Sequence, residues 1–430
     1  MTEGESEDPS HKLRRLLRGR GAVSMPARHP DATRSPGSPV ELEEQRGEAG
    51  RFAARERRFD PVHRHGAWRL EEVDAAAPDE LAEIARDERL ASVGLRHAVY
   101  LDIETTGLSG GAGTIPFLVA LGSFAGDEFR LWQGFLRGPE EERALLVEVA
   151  RRIERAELIV SFFGKSFDRH RLEDKMRLHG VEPPFDDKPH LDLFHPLARL
   201  YRESLPDGRL QTLERALCGV DRAADLPGSF APEAWFDFLG GRAHRLEDVF
   251  RHNQDDVLSL VVLAAHLGRA TRETRADGSA LAGCGVARAR GLARLYADRA
   301  QEERALEWVE RALDRGSPAS TEARALTLLR ADLLKRTGET ERALELYRGL
   351  AGEATGGPRA PRDETTVRAL VEAAKLLEHG RRDFAEAFAS ASRARELCSS
   401  CLAGAARTRR ERELEHRLAR LAGRLDRQGR

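Results

Sequence analysis

The clearest hydrophobic pattern in the chain begins near residue 98, where apolar runs and turn residues alternate. Residues 99–103 are apolar except for Asp102, and their β-branched and aromatic side chains favour a buried strand. Residues 116–124 and 128–135 form two further runs, joined by Ala125-Gly126-Asp127. Because a short Gly-containing connection is typical of a hairpin, this pattern predicts three consecutive antiparallel strands.

Helical periodicity enters after the hairpin. Residues 140–155 place apolar side chains at helical spacing among charges, which predicts an amphipathic helix. The remaining predicted elements are a buried strand at 158–162, a helix to about 180 with Ser166 as candidate N-cap, a short strand near 190–193 and a last helix at about 246–267. Antiparallel strands followed by alternating strands and helices predict an α/β fold, a mixed sheet covered by helices on both faces.

The ends of the chain differ from this segment in composition. Residues 1–50 are rich in Gly, Pro, Ser and charge, so we expect a disordered tail. Residues 51–96 are intermediate and are interpreted as a lead-in segment packed on the α/β domain, which we place at 97–270.

Residues 283–422 consist mainly of Ala, Leu, Arg and Glu without strand-like runs, which predicts an α-helical domain. Ala and aromatic positions recur in a pattern similar to tetratricopeptide hairpins. Their spacing drifts beyond the roughly 34 residues of a regular array. Degenerate repeats and an irregular helical bundle are both compatible with this pattern.

Composition limits the classes of partner. Lys and Arg number 70 against 72 Asp and Glu, a net charge of −2, so nucleic-acid binding would need a local basic patch. No apolar run is long enough to span a membrane, and the first residues do not resemble a signal peptide. Four cysteines do not form a disulfide framework. We therefore expect a cytoplasmic protein without a membrane partner.

The acidic residues of the first strand are the first candidates for chemistry. Asp102 and Glu104 are two residues apart, so on a strand they point to the same face. Two carboxylates there repel each other unless a cation lies between them, and oxygen ligands favour Mg²⁺ or Mn²⁺. For Asp-x-Glu alone, a solvated acidic face is the commoner explanation.

Two later segments add acids in positions suited to the same site. Asp168 follows a buried strand and begins a helix, so it lies at a strand's carboxyl end, where such sheets place ligands. His252 and Asp256 are four residues apart on the last helix and share one face. Asp255 is turned about 100° away. In this order the acids form a specific pattern, although each alone is more often a cap or a solvated residue.

With these residues in view, the chain resembles the DEDD exonucleases of the ribonuclease-H-like superfamily, and more narrowly the bacterial YprB-type ribonuclease-H-like domain. The likeness covers roughly residues 60–268. It is carried by LDIETTGLSGGAGT at 101–114, FGKSFD at 163–168, PHLDLF at 189–194, LQTLE at 210–214, LPG at 226–228 and HNQDDV at 252–257. Several motifs in order are more specific than any single short motif. The family often continues into helical repeats, in agreement with the pattern beyond residue 283.

The resemblance implies a ribonuclease-H-like fold and a metal-dependent nuclease. Asp102, Glu104, Asp168 and Asp256 would bind two divalent ions, Mg²⁺ or Mn²⁺, and His252 would orient or deprotonate the attacking water. The implied reaction is 3′–5′ exonucleolytic hydrolysis of a terminal phosphodiester, releasing a nucleoside 5′-monophosphate. The expected substrate is DNA or RNA with a single-stranded 3′ end, and the helical domain would hold a protein partner.

Three further positions are candidate contacts to nucleic acid: Thr105 at the end of the first strand, and Lys165 and Arg169 beside Asp168. Basic side chains there would steer the phosphate backbone. Arg171 and Lys175 are interpreted instead as the solvated face of a helix.

Two positions depart from the family. The wider superfamily has Tyr-x-x-x-Asp or His-x-x-x-x-Asp, whereas His252 stands in the tyrosine register, as the YprB-type group does. Phe163 replaces an Asn that usually precedes Gly-Lys-Ser-Phe-Asp, so an amide for substrate or metal-bound water is absent. These departures keep open the alternative of a non-catalytic nucleic-acid or protein-binding adaptor. A structure-specific endonuclease is a further alternative, because the same fold hosts several such activities.

Overall fold

A computed structural model describes residues 40–107, 114–222, 228–242, 245–275, 277–281, 285–315, 320–352 and 361–428. Within them, seven strands form one sheet in the order β1-β2-β7-β6-β5-β8-β9. The strands are β1 Glu43–Gly47, β2 Gly50–Phe59, β5 Ala98–Thr105, β6 Pro116–Ala125, β7 Glu128–Phe135, β8 Leu158–Ser161 and β9 His190–Asp192, with β3 Arg64–His65 and β4 Trp68–Arg69 forming a separate ribbon.

The sheet is mixed. Strands β1, β2, β7, β6 and β5 pair antiparallel in that order, and β5, β8 and β9 pair parallel. The helices of this part are α1 Pro78–Ala85, α2 Glu142–Glu154, α3 Asp168–Leu178, α4 Phe194–Tyr201, α5 Leu210–Leu213, α6 Ala231–Leu239 and α7 Leu246–Leu267. The predicted α/β class, a mixed sheet with flanking helices followed by a helical region, is confirmed.

Strand β5 separates two hydrophobic cores. Tyr100 packs in one core with apolar residues of α7, such as Val261. Leu101 and Ile103 pack in the other, with α2 residues such as Leu145. Because side chains alternate along a strand, Asp102 and Glu104 share the face of Tyr100, which is the face that α7 covers. The helix therefore lies against the acids of β5.

The N-terminal part differs from the sequence prediction. Residues 40–50 of the predicted tail contain β1, which pairs with β2 as the edge of the sheet, and residues 1–39 lie outside the described part. Residues 51–59, predicted as part of a lead-in, belong to β2 and pair with β7. Strand β2 buries the four consecutive residues 52–55 and then exposes Arg57 and Arg58, so it lacks the alternation by which a strand is recognised.

The helical region contains α8 Gly285–Asp298, α9 Glu302–Arg315, α10 Thr321–Arg336, α11 Thr340–Ala351, α12 Glu364–Leu376, α13 Phe384–Cys401 and α14 Gly404–Gln428. Consecutive helices pack on one another, and α8 also packs on α4. Leu292 and Tyr296 of α8 lie in the same core as Leu200 and Tyr201 of α4, so the first helices extend the core of the α/β part. The assignment of these pairs as tetratricopeptide-like repeats stays a prediction.

Across the described helices, we find none that is both long enough and apolar enough to cross a membrane.

Candidate active site

Parallel pairing brings the first two groups of acids to one edge of the sheet. Strands β5 and β8 run side by side in the same direction, so their carboxyl ends lie together. Asp102 and Glu104 lie near the carboxyl end of β5 and are partly exposed. The residues that alternate with them, Leu101, Ile103 and Thr105, are buried. The pairing of β5 with β6 shifts register between Glu104 and Thr105, which ends the regular strand directly after the acids.

Asp168 reaches this edge through a tight turn after β8. Phe163 has a φ of 61°, in the left-handed region that side chains other than Gly and Asn rarely adopt. A Cβ on Gly164 would lie 2.3 Å from Ser161 Oγ and 2.8 Å from Asp168 Oδ2, so only glycine allows the backbone this close to the carboxylate. Asp168 is the first residue of α3, as predicted, but Ser166 does not cap the helix.

Asp192 braces the same turn. Its carboxylate accepts hydrogen bonds from the backbone N–H groups of Phe163 at 2.8 Å, Lys165 at 3.1 Å and Phe194 at 3.1 Å. This geometry gives Asp192 a structural role, because its oxygens accept hydrogen bonds from the backbone of the turn that carries Asp168. Asn adopts the left-handed backbone of Phe163 more readily than Phe does, so the Asn that the family resemblance implies at this position would fit the same turn.

Helix α7 supplies the remaining predicted residues. His252 Nε2 lies 3.5 Å from Asp256 Oδ2, one helical turn away, and 3.9 Å from Glu104 Oε1 on β5. All three side chains are largely buried, with 10%, 14% and 12% of their surface exposed. The imidazole therefore lies close to Glu104 of β5 as well as to Asp256 of its own helix.

A buried polar chain, which the sequence reasoning did not single out, supports Asp102. The Asn253 amide donates a 2.6 Å hydrogen bond to Asp102 Oδ2. Gln133 Nε2 donates to Asn253 Oδ1 at 2.8 Å, and Arg55 donates to the Gln133 oxygen at 2.9 and 3.1 Å. Arg55 also pairs with Glu247 at 2.9 Å. Asn253 belongs to the HNQDDV motif, so the signal was present, but its partner lies on a distant strand.

Arg222 was also missed. Its Nη1 lies 2.7 Å from Asp256 Oδ1 and its Nη2 lies 2.7 Å from Glu214 Oε2. Ser259 donates a short hydrogen bond to the same oxygen of Glu214. Arg222 lies beyond the helical motif that ends at Glu214, and no periodic pattern includes it. Only the path of the chain places its guanidinium beside Asp256.

The acids interact strongly with one another. Burial and, to a smaller extent, the Asp256 carboxylate raise the pKa of Asp102 to about 8, although the hydrogen bond from Asn253 opposes the increase. Burial also raises the pKa of Asp168 well above its usual range, with added repulsion from the carboxylates of Asp102, Asp192, Glu104 and Asp256. The carboxylates of all four predicted acids therefore interact electrostatically, and negative charge predominates in this cluster.

The three predicted nucleic-acid contacts have different surroundings. Thr105 is buried and its hydroxyl donates to the Gly107 carbonyl at 3.0 Å. Arg169 pairs with Glu173 on its own helix and with Asp186. Lys165 keeps 38% of its side chain exposed and lies 3.8 Å from Asp87. The geometry leaves Lys165 best placed to reach a ligand, and the role of all three stays a prediction.

Carboxylate oxygens are the ligands that this cluster offers to a divalent ion. Among the described residues, no three His, Cys, Asp or Glu side chains are arranged as a metal-ligand group. Two of the carboxylates instead contact protein groups. Asn253 donates a hydrogen bond to one oxygen of Asp102, and Arg222 pairs with one oxygen of Asp256. The chemistry nevertheless fits, because buried, mutually repelling carboxylates are the oxygen ligands that Mg²⁺ and Mn²⁺ prefer.

Comparison with known proteins agrees with this fold. Residues 99–268 match a family model of the RNase_H superfamily, so this segment is a ribonuclease-H-superfamily domain. It contains all five predicted catalytic residues. The chain is also similar to the "Uncharacterized protein YprB" of Bacillus subtilis (strain 168), with 27% identity over 338 residues that cover 77% of this chain and 78% of the relative.

Among solved structures, the chain is similar to the family B DNA polymerase of the hyperthermophilic archaeon Pyrobaculum calidifontis. The identity is 19% and the TM-score 0.33, over 47% of this chain and 29% of the polymerase. This chain thus spans less than a third of that protein's length, and at this TM-score the likeness supports no argument about function.

Proposed function

We propose that this protein is a metal-dependent nuclease that hydrolyses terminal phosphodiesters of DNA or RNA in the 3′–5′ direction. The observation that carries the proposal is the meeting of Asp102, Glu104, Asp168 and Asp256 at one edge of the sheet with His252 between two of them. Burying four repelling acids is costly, and a site that binds no cation has no physical reason to keep them together.

The carboxylates would hold two divalent ions, Mg²⁺ or Mn²⁺. Such ions, when bound, supply a lowered pKa for the attacking water and charge stabilisation at the attacking and leaving oxygens. The ligands would come from three elements: Asp102 and Glu104 from β5, Asp168 from the start of α3 and Asp256 from α7. Asn253 fixes the orientation of Asp102, and Arg222 fixes that of Asp256.

His252 would accept the proton of the attacking water. Its Nε2 faces Glu104 and Asp256, and both carboxylates stabilise the imidazolium that proton uptake forms. The register of His252 therefore supports this role, since the shorter side chain does reach the acids. Gly228 lies close to His252 in space and leaves room beside the imidazole, because a Cβ on this glycine would come 3.3 Å from His252 Nε2.

The test uses single-stranded DNA and RNA labelled at the 3′ or the 5′ end, incubated with Mg²⁺ or Mn²⁺. We expect the wild type to release labelled mononucleotide from the 3′ end at once and to shorten the 5′-labelled strand stepwise. Asp102→Asn should lower the rate by at least about 100-fold, because it removes a metal-binding charge while keeping the side chain's shape. Asp248→Asn is the matched control and should retain activity, because Asp248 is a partly exposed acid of α7 that pairs with Arg251.

Wild-type protein without nuclease activity under these conditions, or full activity in Asp102→Asn, would contradict the proposal. A closed circular strand included in parallel separates the two modes of cleavage. Its cleavage would assign an endonuclease to the same site.

A further inference from the structure

Arg222 is a buried cation in direct contact with the acid cluster. Its side chain is 6% exposed, and the Glu214 carboxylate that it contacts is 1% exposed. One end of its guanidinium binds Asp256 and the other binds Glu214, each at 2.7 Å. The two ends of the planar group thus join an acid of the candidate active site to an acid behind it.

Glu214 is itself anchored. Ser259, three residues after Asp256 on α7, donates to the Glu214 oxygen that Arg222 contacts. The Ser259 hydroxyl also lies 2.8 Å from His65 Nε2. Arg222 is therefore held from behind, and its contact with Asp256 is part of a fixed, water-excluded arrangement.

The charges of this arrangement suggest why a cation is built in. The four predicted metal-binding acids and Glu214 carry five negative charges when ionised, and Arg222 offsets one of them. Two divalent ions would neutralise the remaining four. Without Arg222, the same acids would keep a net negative charge even with both ions bound.

We propose that Arg222 is a resident counter-cation of the acid cluster, a positioning residue that holds Asp256 in place before metal ions bind. This inference rests on the proposed metal-dependent function. It distinguishes Arg222 from an ordinary structural arginine, because the destabilisation caused by its loss should depend on whether other cations occupy the cluster.

The experiment measures thermal unfolding of the full chain in EDTA and in saturating Mn²⁺. Wild type should be stabilised by Mn²⁺. Arg222→Met should melt lower than wild type in EDTA, and Mn²⁺ should recover a large part of the loss. The Mn²⁺-induced rise in Tm should therefore be larger in Arg222→Met than in wild type by at least about 3 °C.

Arg269→Met is the matched control. Arg269 is also buried and pairs with Glu72 at 2.9 Å, but it follows the far end of α7, whose Leu267 lies about 16 Å along the helix from Asp256. Its loss of Tm should be the same in EDTA and in Mn²⁺. An equally constant loss in Arg222→Met would overturn the inference and make Arg222 a structural brace only.

Arg222→Lys keeps the experiment decisive if the methionine variant does not fold. Lysine keeps the charge but not the two-ended contact, so its Mn²⁺-induced rise should exceed that of wild type by a smaller amount. A rise equal to that of wild type would overturn the inference. If Mn²⁺ does not change the Tm of wild type at all, and calorimetric titration shows no binding, both the metal site and this inference fall. That outcome differs from a metal-binding wild type with an unresponsive Arg222 variant.

Discussion

Asn253 of helix α7 donates a 2.6 Å hydrogen bond to Asp102 of strand β5. The donor is fully buried and its own oxygen accepts a hydrogen bond from Gln133. The contact fixes one carboxylate oxygen of Asp102 without adding charge, and it joins the helix that carries His252 and Asp256 to the strand that carries Asp102 and Glu104.

Replacing Asn253 should therefore affect stability and activity together. Asn253→Ala leaves Asp102 without this donor and removes one of the two buried acceptors of the Gln133 amide, while the Phe250 carbonyl remains as the other. We expect a loss of about 1–3 kcal/mol in unfolding free energy. The nuclease rate should fall because Asp102 is no longer oriented. Gln254→Ala, at the next position of α7, is the control for helix propensity. A similar loss in both variants, measured by urea unfolding, would contradict the specific role of Asn253.

Phe163 allows a test of its left-handed backbone. At a φ of 61°, Asn is tolerated and a β-branched residue is not, so Phe163→Val should be less stable than Phe163→Asn by about 1–2 kcal/mol. Both variants lose the ring contact with Phe194, whose centroid lies 5.2 Å away, so that loss cancels in the comparison. Urea unfolding measures the difference. Equal stabilities would show that the backbone at this position is not strained.

His266 gives the protein a defined dependence on pH. Its ring lies 2.8 Å from the Tyr201 hydroxyl, and burial lowers its pKa to about 3, with Arg288 and Arg275 adding to the effect. The unfolded pKa is about 6.5, so below that pH the unfolded state binds a proton that the folded state does not. Stability from the neutral ring is complete above pH 6.5 and is lost as the pH falls toward 3.

The test compares wild type with His266→Phe, which cannot titrate at this position. The unfolding free energy of wild type relative to the variant should be constant above pH 7 and fall by about 1.4 kcal/mol per pH unit below 6.5. Urea unfolding at pH 7.5, 6.5 and 5.5 measures the slope. A difference that does not change with pH would mean that folding does not shift the pKa of His266.

The close contact between α8 and α4 predicts that packing of the helical region on the α/β part contributes to the stability of the protein. A Cβ on Gly291 would lie 2.6 Å from the backbone of Leu200, so Gly291→Ala should cost about 1–3 kcal/mol. Gly349 of α11 has no atom within 4 Å of its Cβ position, and Gly349→Ala should stabilise the protein by roughly 0.5–1 kcal/mol through helix propensity. If thermal unfolding shows that both variants are destabilised, or that both are stabilised, the packing of Gly291 against Leu200 would be contradicted.

Much of the α/β part follows from local patterns. The predicted hairpin corresponds to β6 and β7, and the predicted last helix to α7, because apolar runs and helical periodicity are properties of neighbouring residues. The pairing of β1 with β2 was not predicted, since β2 buries four residues in a row and carries several arginines. Ser166 was predicted as a helix cap and is not one, because the turn is held by Asp192 from another strand.

The sequence by itself determined which acids are available and on which elements they lie: Asp102 and Glu104 on one strand face, Asp168 at a helix start, and His252 with Asp256 on one helix face. Those placements follow from periods of two and 3.6 residues, which act over short distances along the chain. The tertiary structure alone decided which donors face these acids. Asn253 and Arg222 reach Asp102 and Asp256 only because α7 packs across β5 and the chain after Glu214 returns beside it, and such contacts join residues far apart in sequence.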